Sequence, residues 1–154
     1  MEKALNLYFD GGNAQGIAAW GVIGIGAGKV VCQLSGVCDQ SLPQTNNVAE
    51  WTALYYAMAY AYGVRNQYDK IIILGDSELV VKQINGEYVV KHPNLIAFYH
   101  NVRKIRDAFS ESWHLGSPEY TRNMSRIVVR WIPREQNELV DGLGREARAR
   151  FLGV

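Results

Sequence analysis

Four acidic residues, Asp10, Glu50, Asp76 and Asp141, are spaced so that a folded chain could gather them around a divalent cation. Each also has an ordinary structural explanation. Asp10 precedes Gly11 and Gly12, and Asp and Gly both suit turn geometry. Glu50 follows Asn47 by three residues, the spacing of a capping box in which Asn47 caps a helix and Glu50 reaches back to its amide. Asp76 follows an apolar run and a glycine, a natural place for a helix N-cap. Asp141 falls in the first turns of a helix and complements its dipole. Singly, these explanations suffice. Together they leave four carboxylates at element ends that can converge on one edge of a sheet. Such a group repels itself unless a cation neutralises it. Oxygen-only ligands select a hard ion, Mg²⁺ or Mn²⁺. Two such ions about 4 Å apart form the clamp used for in-line phosphoryl displacement, with no need of a cysteine or histidine nucleophile.

The elements that must position these acids can be read from periodicity. Residues 4–10 alternate, with Leu5, Leu7 and Phe9 on one face, and predict a strand that ends at Asp10. Residues 17–25 and 29–38 are small and β-branched, and Gly26-Ala27-Gly28-Lys29 joins them in a hairpin. Residues 47–62 switch to helical spacing through Val48, Trp51, Leu54, Tyr55, Met58, Ala61 and Tyr62, with Gly63 as the expected C-cap. Ile71-Ile72-Ile73-Leu74 is a short apolar run suited to a strand buried on both faces. Helices are expected over 77–85, 93–109 and about 137–150, and a last strand over 126–132, stopped by Pro133. Residues 111–125 read as a long polar connection. Three meandering strands followed by crossovers imply an α/β protein with a mixed sheet and helices on its faces. Asp10 and Asp76 then share the carboxyl-end edge, where open α/β sheets bind ligands.

Composition narrows the class further. The chain has 154 residues, 48% hydrophobic and 20% charged, which fits one globular domain with a sizeable core. The net charge of +1 excludes a strong global field toward nucleic acid, so any such binding must use local patches and backbone contacts. Cys32 and Cys38 show no metal-ligand spacing and read as small core or edge residues. The N-terminus is too polar for a signal peptide, and no apolar run is long enough to span a membrane. A reducing cytoplasmic compartment and a monomer are the default expectations.

The residues around the acids resemble type I ribonuclease H. The matching segments are YFDGG around Asp10, TNNVAEW around Glu50, GDSELVVKQING around Asp76 and WIPREQNELVDGLGREA around Asp141. The resemblance extends over nearly the whole chain, residues 1–154 read as a single ribonuclease H catalytic domain. It implies the ribonuclease H-like fold, a five-stranded mixed sheet of order 3-2-1-4-5 with helices on both faces. It implies hydrolysis of the RNA strand of RNA–DNA hybrids by two Mg²⁺ ions, with Mn²⁺ as a substitute, giving 5′-phosphate products. Asp10, Glu50, Asp76 and Asp141 would be both catalytic and metal-holding, with Asp10 bridging the two ions. Gly11 and Gly12 would let the backbone approach the RNA. Asn46 and Asn47 would lie in the minor groove of the hybrid, where the 2′-hydroxyl distinguishes RNA from DNA. Thr45 would grip a DNA-strand phosphate, and Ser77 would touch the RNA.

The sequence departs from the family in two places. Many members carry a catalytic-loop His after the last strand, but His92, His100 and His114 all lie elsewhere. Arg134 or Glu135 is expected to occupy part of that space. Many bacterial members also carry a long basic insertion, for which residues 86–93 are far too short. Lys82, Lys91, Arg103, Lys104 and Arg106 are then candidates for gripping substrate, with a solvated helix face as the plainer reading for most. Tyr88 is a candidate for packing on DNA sugars, and Trp113 for anchoring its own loop. Three competing classes remain open: a resolvase- or transposase-like DNA nuclease on the same architecture, a non-catalytic hybrid-binding module, and a structural or interaction domain with no nucleic-acid role, whose only support is the near-neutral charge.

Overall fold

The computed structural model describes residues 2–109 and 126–154. The expected polar connection, with Trp113 and His114, lies outside the described residues. The elements are β1 (Ala4–Ala14), β2 (Ile17–Gly26), β3 (Lys29–Val37), α1 (Asn46–Gly63), β4 (Lys70–Gly75), α2 (Glu78–Ile84), α3 (Pro93–Ala108), β5 (Ile127–Trp131) and α4 (Glu138–Leu152). Single 3₁₀ turns occupy Arg65–Gln67 and Arg134–Gln136. The five strands form one sheet in the order β3-β2-β1-β4-β5, as the resemblance implies. β1–β2 and β2–β3 are antiparallel, while β1–β4 and β4–β5 are parallel.

Side-chain alternation sends successive residues of a strand to opposite faces. On one face Leu5, Leu7, Phe9, Ala18, Trp20, Val22, Ile71 and Ile73 pack against Trp51, Leu54, Ala57 and Met58 of α1. On the other face α4 lies across β2, so closely that a Cβ added to Gly21 would stand 2.7 Å from Leu143 Cβ. The expectation that β4 is buried on both faces holds only in part. Ile71 and Ile73 are buried, but Ile72 and Leu74 on the opposite face are only partly covered by the described residues.

β1 is longer than its alternation predicts. It runs through Asp10 and both glycines to Ala14, paired all the way with β2, and turns at Gln15 and Gly16 with φ of +56° and +74°. Asp10 is therefore not a turn residue. The hydrophobic signal stops at Phe9 because the parallel pairing with β4 stops at Phe9↔Gly75. Beyond that point β1 is held on one side only and borders open space. The second hairpin has positive φ at both Ala27 and Gly28, the backbone a two-residue hairpin requires.

The helix caps also differ from expectation. The N-cap of α1 is Thr45, whose Oγ1 accepts from the Val48 amide at 3.1 Å. Asn47 and Glu50 make no capping box, and Glu50 is left for other work. The helix passes through Gly63 and ends at Val64, whose φ of −108° and ψ of 12° lie outside the helical region. Asp76 is not a cap either, because Ser77 caps α2.

Candidate active site

All four acids line a single open cleft of about 400 Å³, together with Gly11, Gly12, Asn13, Ala14, Ala19, Asn46, Arg134, Gly144, Arg145 and Arg148. Asp10 comes from the free extension of β1, Glu50 from the second turn of α1, Asp76 from the end of β4 and Asp141 from the first turns of α4. Close packing of α1 on β1 aims Glu50 into the cleft. A Cβ on Gly11 would stand 2.3 Å from the Ala49 carbonyl and 2.6 Å from the Glu50 nitrogen. Gly11 is thus required for helix packing, and it also lines the cleft. Gly12 has open space where a side chain would be, so its backbone is free to be approached.

The electrostatics report burial of charge, with repulsion between the acids added to it. Burial pushes the Asp10 carboxyl up to about 7, with Asp76, Asp141 and Glu50 adding to the rise against the Gly11 amide. Burial also pushes Glu50 up to about 7, opposed by the Ser77 hydroxyl and Arg134, with Asp76 adding to it. Ser77 has two bonds: it accepts from the Val80 amide at 3.3 Å and donates to Glu50. Asp141 is held by Arg145 at 3.2 Å. Among the described residues, no three acidic, imidazole or thiol groups close into a ready-made metal cage. Mg²⁺ does not need one. It ordinarily takes one or two carboxylates and completes its octahedron with water and substrate phosphate oxygens. Carboxylates raised first by burial and then by neighbouring charge, with oxygen as the ligand atom, fit such an ion.

Asn137 has a larger part than its place in a motif indicates. Its Nδ2 donates to the Phe9 carbonyl at 2.9 Å and to Asp76 Oδ2 at 3.2 Å, while its buried Oδ1 has no partner among the described residues. It closes the gap where β1 and β4 part, and fixes one carboxylate there. Arg134 lines the cleft, and both Arg134 and Glu135 line an adjoining one with Asp76, Asn137, Glu138 and Asp141. Arg148, which sequence reasoning passed over, lies in the cleft wall. Its only sequence signal is a charged residue on the inward stripe of α4.

Asn46 Oδ1 accepts from the Asn13 amide at 2.8 Å, which ties the start of α1 to the β1–β2 hairpin. Thr45, Asn46 and Asn47 are all exposed, and of the three Asn46 lines the cleft with the acids. The remaining cationic candidates are mostly committed elsewhere. Lys82 pairs with Glu78 at 2.8 Å and lies over the Tyr88 ring. Arg106 bonds to the Ile84 carbonyl and to Asn85, and burial lowers its pKa. Arg103 bonds to Tyr99.

A family profile described as "Reverse transcriptase-like" matches residues 9–147, a span that takes in all four acids. The chain belongs to this family. It is 30% identical over 146 residues to the "Ribonuclease HI" of Halobacterium salinarum, covering 93% of this chain and 63% of that one. It is 32% identical over 103 residues to the "Bifunctional protein Rv2228c" of Mycobacterium tuberculosis, covering 67% of this chain and only 24% of that protein. Among solved structures it is similar to LC11-RNase H1 in complex with RNA/DNA hybrid, with a TM-score of 0.75, 27% identity and coverage of 96% and 99% of the two chains. The resemblance to type I ribonuclease H drawn from the motifs therefore holds across profile, relatives and fold.

Proposed function

We propose that this reverse transcriptase-like chain is a ribonuclease H, acting as one catalytic domain that cuts the RNA strand of RNA–DNA hybrids. The observation that carries the reading is the single cleft that gathers Asp10, Glu50, Asp76 and Asp141 with Asn46 of the exposed Thr45-Asn46-Asn47 run. The similarity to a ribonuclease H1 solved with an RNA/DNA hybrid supports the substrate class.

Two Mg²⁺ ions held by Asp10, Glu50, Asp76 and Asp141 would supply an activated water and stabilise the departing oxygen. The protein's own groups do the rest. Ser77 and Arg134 hold Glu50 toward its charged form, and Asn137 orients Asp76. The open backbone at Gly12 admits the sugar-phosphate chain. Asn46, fixed through its oxygen by Asn13, keeps its NH₂ group free to donate to a sugar or base edge in the minor groove. Thr45 Oγ1 accepts from Val48, so its proton remains available to a DNA-strand phosphate. Attack forms a bond from the water oxygen to phosphorus and breaks the bond to the 3′-oxygen, leaving 5′-phosphate and 3′-hydroxyl ends. The protein is proposed to act as a monomer.

The test is a hybrid end-labelled on either strand, incubated with Mg²⁺, Mn²⁺ or chelator, beside an Asp10→Asn variant. Metal-dependent cutting of the RNA strand alone, abolished in the variant, is the expected result. Cutting of the DNA strand would move the protein to the resolvase-like class. Tight binding without any cutting would make it a hybrid-binding module.

A further inference from the structure

We propose that Arg148 forms a binding subsite for one non-scissile phosphate of the RNA strand, an inference that rests on the hybrid-cutting reading above. Arg148 is only 8% exposed. Arginine is almost never buried without a counter-charge, because desolvating an unpaired cation is costly. Yet the ion pairs among the described residues are Lys82–Glu78, Arg103–Asp107 and Arg145–Asp141, and Arg148 is in none. Its Nε donates to the Ile17 carbonyl at 3.0 Å and its Nη2 to the Gly12 carbonyl at 2.9 Å. Carbonyl dipoles satisfy donors but cancel no charge. The guanidinium has five N–H donors in a planar fork, and those two bonds leave the Nη1 side without a protein partner among the described residues.

The side chain also lies in the right wall. It lines the same cleft as the four acids, beside Gly12, Asn13 and Asn46. The bonds to both arms of the β1–β2 hairpin fix the plane of the fork before any ligand arrives, so little side-chain freedom is lost on binding. A phosphate is the anion that such a fork matches. Nucleic acid entering this cleft meets four carboxylates, and a fixed cation in the same lining offsets their repulsion. The strand that crosses the carboxylates is the one that is cut. Arg148 holds the carbonyl of Gly12, two residues along β1 from Asp10 in the same lining, so the phosphate concerned is assigned to that RNA strand.

The test places Arg148→Gln in an Asp10→Asn background and measures binding of hybrids that carry one neutral methylphosphonate, moved stepwise along each strand. With Arg148 present, one non-scissile RNA position should weaken binding roughly tenfold or more when neutralised, the range of a charge-assisted hydrogen bond. In the Arg148→Gln protein the same position should lose its effect while all others keep theirs. The slope of log affinity on log salt should become shallower by roughly 0.7–0.9 in that variant, one phosphate's worth. A hairpin brace with no ligand would lower the melting temperature but leave the scan unchanged, and that result would overturn the proposal, as would a loss mapped to the DNA strand. Should Arg148→Gln fail to fold, Arg148→Lys replaces it. A point charge cannot serve both carbonyls and a phosphate, so its sensitivity at that position should shrink, and full sensitivity would overturn the proposal. No hybrid binding by the Arg148 protein at all would overturn the hybrid-cutting reading as well, whereas binding with an unchanged scan would overturn only the subsite.

Discussion

At the scale of single residues, the site is a set of charges that the fold holds at a cost. Asp10 and Glu50 are raised to about 7 from ordinary values near 4. Between about pH 4 and 7 the native state therefore binds more protons than the unfolded chain, and stability falls as pH rises through that window. A tenfold change in proton affinity between the two states corresponds to about 1.4 kcal/mol, so the metal-free protein should lose a few kcal/mol from pH 5 to pH 8. Asp10→Asn removes the charge that burial and its neighbours oppose, so in chelator at pH 8 it should melt several degrees above the wild type. At pH 3, where Asp10 is protonated in both the folded and the unfolded chain, the two should melt together. A variant that melts at or below wild type at pH 8 would show that Asp10 is not under this repulsion. Asn137 makes a second prediction at this scale. Removing its amide leaves the Phe9 carbonyl buried and Asp76 unanchored, so Asn137→Ala should cost about 1–3 kcal/mol of stability. It should also lower kcat more than it raises KM, because it displaces a carboxylate without touching substrate. Equal effects on both constants, with unchanged stability, would refute that role.

At the scale of elements, what positions the acids is a set of departures from regular pairing. The alternation of Leu5, Leu7 and Phe9 made β1 legible, and helical spacing made α1 legible. The extension of β1 to Ala14 was not, because residues 10–14 are polar or small and carry no period; their register comes from β2 alone. The true cap, Thr45, lay one residue before the Asn46-Asn47 pair, and three adjacent capping-type residues cannot be ranked without the backbone. The four acids were legible through their surroundings. Asn137, Arg134 and Arg148 acquire their contacts only when β1, β4 and α4 meet, across separations of up to 136 residues, which no local pattern reports. The Gly11–Gly12 pair tests the packing account directly. Gly11→Ala forces a methyl into the α1 backbone and should cost about 3 kcal/mol or more, a fall in melting temperature of roughly 6–12 °C. Gly12→Ala meets open space, so it should melt near the wild type and instead weaken hybrid binding. If the two variants exchanged behaviour, the assignment of Gly11 to packing and Gly12 to substrate would be reversed.

At the scale of the whole molecule, a chain with a net charge of +1 has to hold a polyanion through a few placed cations. The segment that carries a basic insertion in many relatives is here the short run 86–93. Lys82 and Arg106, which could have compensated, are occupied by Glu78 and by the end of α2. What remains near the acids is Arg134 and Arg148 in the wall of the cleft, with Arg145 joining them once a cation takes its partner Asp141. If those three supply most of the phosphate contacts, log affinity for a hybrid should fall with log salt at a slope of about −2.7, taking roughly −0.9 per phosphate. Raising monovalent salt from 50 to 200 mM would then weaken binding about fortyfold, against the 10³–10⁵-fold loss of proteins that make six to ten such contacts. Fluorescence anisotropy on the Asp10→Asn protein, titrated over that range, measures the slope without cleavage. A slope near −6 would mean that a second basic surface engages the hybrid beyond the cleft. A slope near zero would mean that groove contacts from Thr45, Asn46 and Asn47 carry the affinity and the arginines serve only to hold the site together.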